Sequence, residues 1–198
     1  MFVHRDDDAS KMGMWLFLFT ELCLFAALFI VYSVYRYLNH EAFHQAAKQL
    51  DVTIGTINTV ILLISSMTIA MSISAIQLKS KKRALLLLSA TVFLGLVFLV
   101  NKYFEWGEKI SHGIYPSSET LLSYGQGDVM FFGLYFFMTG LHAFHILVGL
   151  GFIGFIMYYI AKDTINHDDY VLLENGGLYW HLVDLIWIFL FPLFYLIT

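Results

Sequence analysis

The chain has 198 residues, 59% of them hydrophobic and 13% charged, with a formal net charge of −4 and a mean hydropathy of +0.72. Soluble domains run to about 45–50% apolar and about 25% charged residues, so this chain lacks the polar surface to cover itself and lipid is its expected solvent. It has no basic patch for nucleic acid and no Gly-rich phosphate loop, and its one cysteine, Cys23, excludes an intramolecular disulfide or a multi-cysteine metal site.

Crossing a hydrocarbon core of about 30 Å takes roughly 20 apolar residues as helix. Five stretches meet that requirement, near residues 12–37, 52–78, 84–104, 129–160 and 177–197. They predict an all-α membrane protein, one integral membrane domain over residues 1–198 built as a five-transmembrane-helix bundle.

The first span follows Arg5-Asp6-Asp7-Asp8, which is not the basic n-region of a secretory signal, so this span is expected to be retained. Glu21 falls roughly 14 Å into it at 1.5 Å per residue, near mid-membrane. Cys23, in the same span, reads as a small buried packing residue. The segment 38–51 is polar and predicts an external loop, with an Ala- and Gln-rich stretch suited to a short surface helix.

In the second span Asn58, Ser65 and Ser72 recur seven residues apart on one face. Membrane helices approach closely through small and hydroxyl side chains, so this stripe predicts helix packing. The turn that follows holds Lys79, Lys81, Lys82 and Arg83, a cluster suited to anionic lipid headgroups. Lys102, Glu105 and Lys109, near the outer end of the third span, predict an interfacial ladder of ion pairs worth a few tenths of a kcal/mol each. Residues 111–118 carry the Gly, Pro and Ser punctuation of a turn.

The fourth span is longer than a bilayer needs and is expected to tilt or project. It places His142 and His145 on one face at i, i+3 spacing, and the fifth span does the same with His181 and Asp184. Trp15, Trp106, Trp180 and Trp187 read mostly as an interfacial belt. Lysines and arginines count seven on the side of the N-terminus (Arg5, Lys11, the 79–83 cluster, Lys162) and four opposite (Arg36, Lys48, Lys102, Lys109). That excess predicts a cytoplasmic N-terminus and a C-terminus on the outer, periplasmic side.

Ionisable groups in a bilayer are costly and are normally turned inward and partnered. Glu21, His142, His145, His181 and Asp184 are therefore expected to form one buried polar cluster. Metal ligation is one reading, since di-iron bundles use Glu and Glu-x-x-His on facing helices, but those sites take four carboxylates and only two are present here. A proton relay is a second. Hydrogen bonding between helices, about 0.6 kcal/mol per bond on average, is the third and the one favoured.

Several segments together resemble the cytochrome c oxidase subunit III family of heme–copper oxidases. Met12-Gly13-Met14-Trp15-Leu16-Phe17 with Glu21 resembles the family's third helix, and Asn58-Thr59 with Leu62-Leu63 and Ser65-Ser66 its fourth. Phe104-Glu105-Trp106 is similar to the end of its fifth, and the runs Thr139 to Gly149 and Tyr179 to Trp187 to its last two. The resemblance implies a short form that lacks the first two of seven helices and half of the family's lipid cleft. It implies a non-catalytic subunit with no metal of its own, heme and copper residing in partner subunits. Subunits I and II, further respiratory subunits and phospholipids are the implied partners, in a prokaryotic inner membrane, with Glu21 in the region that supports proton uptake. Where many members have Gln, this chain reads Asn101-Lys102. A quinol oxidase or a nitric-oxide-reductase system is the alternative setting. A stand-alone proton or ion carrier is a third, disfavoured because no internal repeat or broken span is visible.

Overall fold

Seven helices are formed among the residues described by the computed structural model, 7–196. Arg5 and Thr198, which enter the orientation count and the terminus assignment above, lie outside the described residues. The helices are α1 (Asp7–Leu38), α2 (His40–Ala47), α3 (Val52–Gln77), α4 (Lys81–Ser111), α5 (Glu119–Tyr124), α6 (Gln126–Ala161) and α7 (Val171–Tyr195). Five of them, α1, α3, α4, α6 and α7, are long and apolar enough to cross a membrane.

Helix ends follow local chemistry. The Asp51 carboxylate caps α3, accepting from the backbone N–H of Thr53 at 2.7 Å and Ile54 at 3.3 Å, and Ser118 caps α5 by accepting from Leu121 N–H at 3.1 Å. The ends of α3, α4 and α6 close alike. Each has a residue of positive φ, Lys79 (58°), Gly113 (73°) and Asp163 (59°), and a following N–H that reaches back five residues to a carbonyl. These are Schellman closures, which satisfy carbonyls that the helix itself leaves free.

α3 pairs with α4 and with α7, α6 packs on α7 and α4, and α1 lies along α6 and α7. α7 is the most enclosed span and α1 the least. α1 buries a single stripe, Leu18, Phe25 and Tyr32, at seven-residue spacing. Tyr32 anchors its C-terminal half, donating to the Leu193 carbonyl at 2.5 Å and meeting Phe43 and Phe194 edge-on.

Several expectations are corrected. The short helix expected within segment 38–51 forms as α2, but one face of it is not at the surface, because Phe43, Ala46 and Ala47 are buried against the bundle, with Phe43 edge-on to Phe131 at 5.3 Å. α7 begins at Val171 rather than near 177, because Asn175 Nδ2 donates to Ser10 Oγ at 3.1 Å and Glu174 pairs with Lys11 at 3.0 Å, which hold its first turns on α1. Cys23 is exposed, since it falls outside the α1 stripe. Trp180 and Trp187 are fully buried and not interfacial: their indole N–H groups donate to Ser65 Oγ at 2.9 Å and Thr59 Oγ1 at 3.0 Å on α3. The Trp180 ring fits because Gly95 and Gly149 flank it; a Cβ there would lie 2.9 Å and 3.0 Å from its atoms.

Candidate functional site: polar groups inside the bundle

The sequence-predicted groups do not meet in one cluster but occupy three places. Glu21, from α1, and His145, from α6, form a pair with Oε2 and Nε2 2.9 Å apart, both mostly buried. The other ring nitrogen of His145, Nδ1, faces the Leu141 carbonyl at 2.7 Å. A carbonyl only accepts, so Nδ1 carries a hydrogen and the contact to Glu21 holds a single proton, on the ring or on the carboxyl. Phe25 packs edge-on to the imidazole at 5.4 Å, and Tyr179 donates to the His145 carbonyl at 3.0 Å.

His181 and Asp184 lie on the α3 side of α7. His181 Nδ1 meets Ser66 Oγ at 2.5 Å. Asp184 is 3% exposed, with Ser66 the polar side chain acting on it and neither carboxyl oxygen in a well-formed hydrogen bond among the described residues. Beside His181 opens a cavity of about 400 Å³ whose rim includes Lys11, Trp15, Glu174 and Asn175.

His142 hydrogen-bonds to neither pair. It is buried, stacked on Trp187 at 5.3 Å and edge-on to Phe98 at 5.6 Å, and neither ring nitrogen has a hydrogen-bond partner among the described residues. The i, i+3 spacing puts His142 and His145 on neighbouring parts of α6, but α7 faces the first and α1 the second. Among the described residues no group of three or more His, Cys, Asp or Glu side chains comes together in a way that suits a metal ion. Asn58, Ser65 and Ser72 are all fully buried on α3, where Asn58 Oδ1 accepts from Asn101 Nδ2 at 2.8 Å.

The most connected polar site was missed from sequence. Lys102 and Glu105 are each 2% exposed and paired at 3.0 Å. Lys102 Nζ also donates to the hydroxyls of Tyr195 at 2.8 Å and Tyr135 at 3.1 Å, while both hydroxyls donate to Glu105 Oε1. The rings of Trp106, Tyr135, Trp187 and Tyr195 stand 5.0–6.0 Å from the ammonium. The Lys102–Glu105 pair of the expected interfacial ladder forms, but as an internal ion pair in an aromatic cage joining α4, α6 and α7. Lys109 takes no part and donates to the Gln49 carbonyl at 2.5 Å. The available signal was Lys and Glu following directly on an apolar run, with tyrosines in two other spans able to complete their bonds.

Residues 4–198 match the family model of cytochrome c oxidase subunit III. The chain is 28% identical over 193 residues to the probable quinol oxidase subunit 3 of Staphylococcus haemolyticus, covering 98% of this chain and 91% of that one. It is 29% identical over 196 residues to cytochrome c oxidase subunit 3 of Thermostichus vulcanus, covering 98% and 90%. A third relative, the heme-copper oxidase subunit I+III of Aeropyrum pernix, is 27% identical over 197 residues, covering 96% of this chain and 23% of that longer one.

Proposed function

Because this chain belongs to the cytochrome c oxidase subunit III family, matching it over residues 4–198, we propose that it is the non-catalytic third subunit of a proton-pumping terminal oxidase, stabilising subunit I and supporting proton uptake. The observation that carries this reading is the Glu21–His145 pair, which holds one proton between α1 and α6 inside a membrane span. A carboxyl kept within reach of a second proton-binding group suits retention of protons beside a pump and demands no metal of this chain. Heme and copper belong to the partner subunits, and phospholipid fills what protein leaves open around α1.

Subunit I is the nearest partner on this reading. In the Aeropyrum pernix relative a stretch similar to this chain is part of a protein named subunit I+III, which supports a side-by-side arrangement of the two. α1, covered by its own chain on one stripe only, has the free surface for such a neighbour. The relatives are named for cytochrome c and for quinol oxidases alike, and either donor suits a subunit that touches neither. The N-terminal ends of α1 and α4 face the cytoplasm of a prokaryotic plasma membrane, with the C-terminus on the periplasmic side.

The test is the Glu21→Ala oxidase, purified with its partner subunits. Faster loss of activity during sustained turnover is expected, with single-turnover electron transfer at the metals near normal and Glu21→Gln milder. Abolished oxygen reduction in a complex that retains full heme and copper would place Glu21 on the reaction path and refute the accessory role.

A further inference from the structure

The basic turn between α3 and α4 has no part in the sites above. Of its four cations, Lys81 is engaged, pairing with Asp163 at 2.6 Å and donating to the Ala161 carbonyl at 2.8 Å. Lys79, Lys82 and Arg83 are exposed, and among the described residues none of them has an acidic partner. Beside them a groove of about 260 Å³ runs between the last turns of α3 and the first turns of α4, lined by Met71, Ser74, Leu78, Ser80, Arg83 and Leu87 among others. It shares no lining residue with the cavity beside His181.

We propose that this groove binds one anionic phospholipid, its phosphodiester held by Arg83 and the Ser80 hydroxyl and an acyl chain laid over Met71, Leu78 and Leu87. Two features select that occupant. The groove is polar and cationic at one end and apolar along the spanning helices at the other, with Leu78 77% exposed and Met71 48% exposed. A soluble anion would satisfy the guanidinium but make no use of the apolar wall, which bulk lipid chains would cover without being joined to the headgroup. A zwitterionic lipid would cover the wall but bring no net charge to three unneutralised cations, whereas a net negative headgroup answers both. A planar guanidinium with a hydroxyl beside it also suits two phosphate oxygens, which a lone ammonium does not.

Native mass spectrometry of the full chain in detergent, titrated with phosphatidylglycerol or phosphatidylcholine, tests the site. One phosphatidylglycerol should be retained in preference to phosphatidylcholine. Arg83→Ala and Lys82→Ala should each weaken retention roughly five-fold, the weight of one cation at an anionic headgroup surface. Ser74→Trp keeps every charge but fills the groove, and should also abolish preferential retention; Ser74 and Arg83 are both exposed, so neither change disturbs the core. Inorganic phosphate should not displace the lipid. Equal retention of the two lipids would overturn the proposal, as would phosphatidylglycerol binding that Arg83→Ala leaves untouched. Loss in the charge variants with full retention in Ser74→Trp would mean diffuse attraction rather than a seat, and displacement by inorganic phosphate would mean a phosphate site; either result overturns it.

Discussion

Replacing Glu105 with alanine separates a buried ion pair from an exposed one, because the two predict costs that differ by an order of magnitude. The carboxylate accepts from Lys102 at 3.0 Å, from Tyr135 at 2.5 Å and from Tyr195, and is 2% exposed. At 3 Å and an effective dielectric of about 20 the charge pair alone is worth roughly 5 kcal/mol before desolvation is subtracted. Removal strands the Lys102 ammonium among four aromatic rings and two hydroxyls. Breaking a buried pair in this way costs about 3–5 kcal/mol. Replacing both residues, Lys102→Met with Glu105→Met, leaves two tyrosine hydroxyls 3.4 Å apart to bond each other and should cost far less than the Glu105 variant alone. Equilibrium unfolding of the detergent-solubilised chain in denaturing surfactant measures the Glu105→Ala cost, and the same measurement on Lys102→Met, Glu105→Met and the double gives the coupling. A Glu105→Ala cost below about 0.5 kcal/mol, the weight of an exposed helix pair, would refute the buried cage.

Gly149→Leu should destabilise the chain by about 1–3 kcal/mol through overpacking, since even its Cβ would lie 3.0 Å from the Trp180 ring, and a lowered thermal midpoint checks it. Ser117→Gly should raise that midpoint, gaining up to about 1 kcal/mol, because Ser117 is exposed and holds φ at 71°, a left-handed conformation that glycine adopts without a Cβ clash. A cysteine in place of Ser80 should resist an impermeant thiol reagent applied to intact cells and react once they are opened; labelling from outside would reverse the proposed orientation.

The sequence by itself determined the class of protein and the five spans, because a chain this apolar has to satisfy its backbone within helices wherever lipid replaces water. It also carried the family, since five local motifs in order need no knowledge of which side chains touch. It placed the costly residues too, as each ionisable group is visible against an apolar run. Only the tertiary structure decided how those groups are shared out. Helical spacing puts His142 and His145 on one face, yet the rotation of α6 between its neighbours gives His145 to Glu21 on α1 and His142 to Trp187 on α7. Lys102 and Glu105 look like interfacial residues until Tyr135 and Tyr195, from two other helices, supply the bonds that let an ion pair stay inside and let α4 run on to Ser111. Trp180 and Trp187 have the polar N–H of interfacial residues, and it is the facing hydroxyls of Ser65 and Thr59 that make burial tolerable. A polar side chain's place in a membrane protein depends on the partner across the helix interface, and that partner is distant in sequence: 93 residues separate Lys102 from Tyr195, and 124 separate Glu21 from His145.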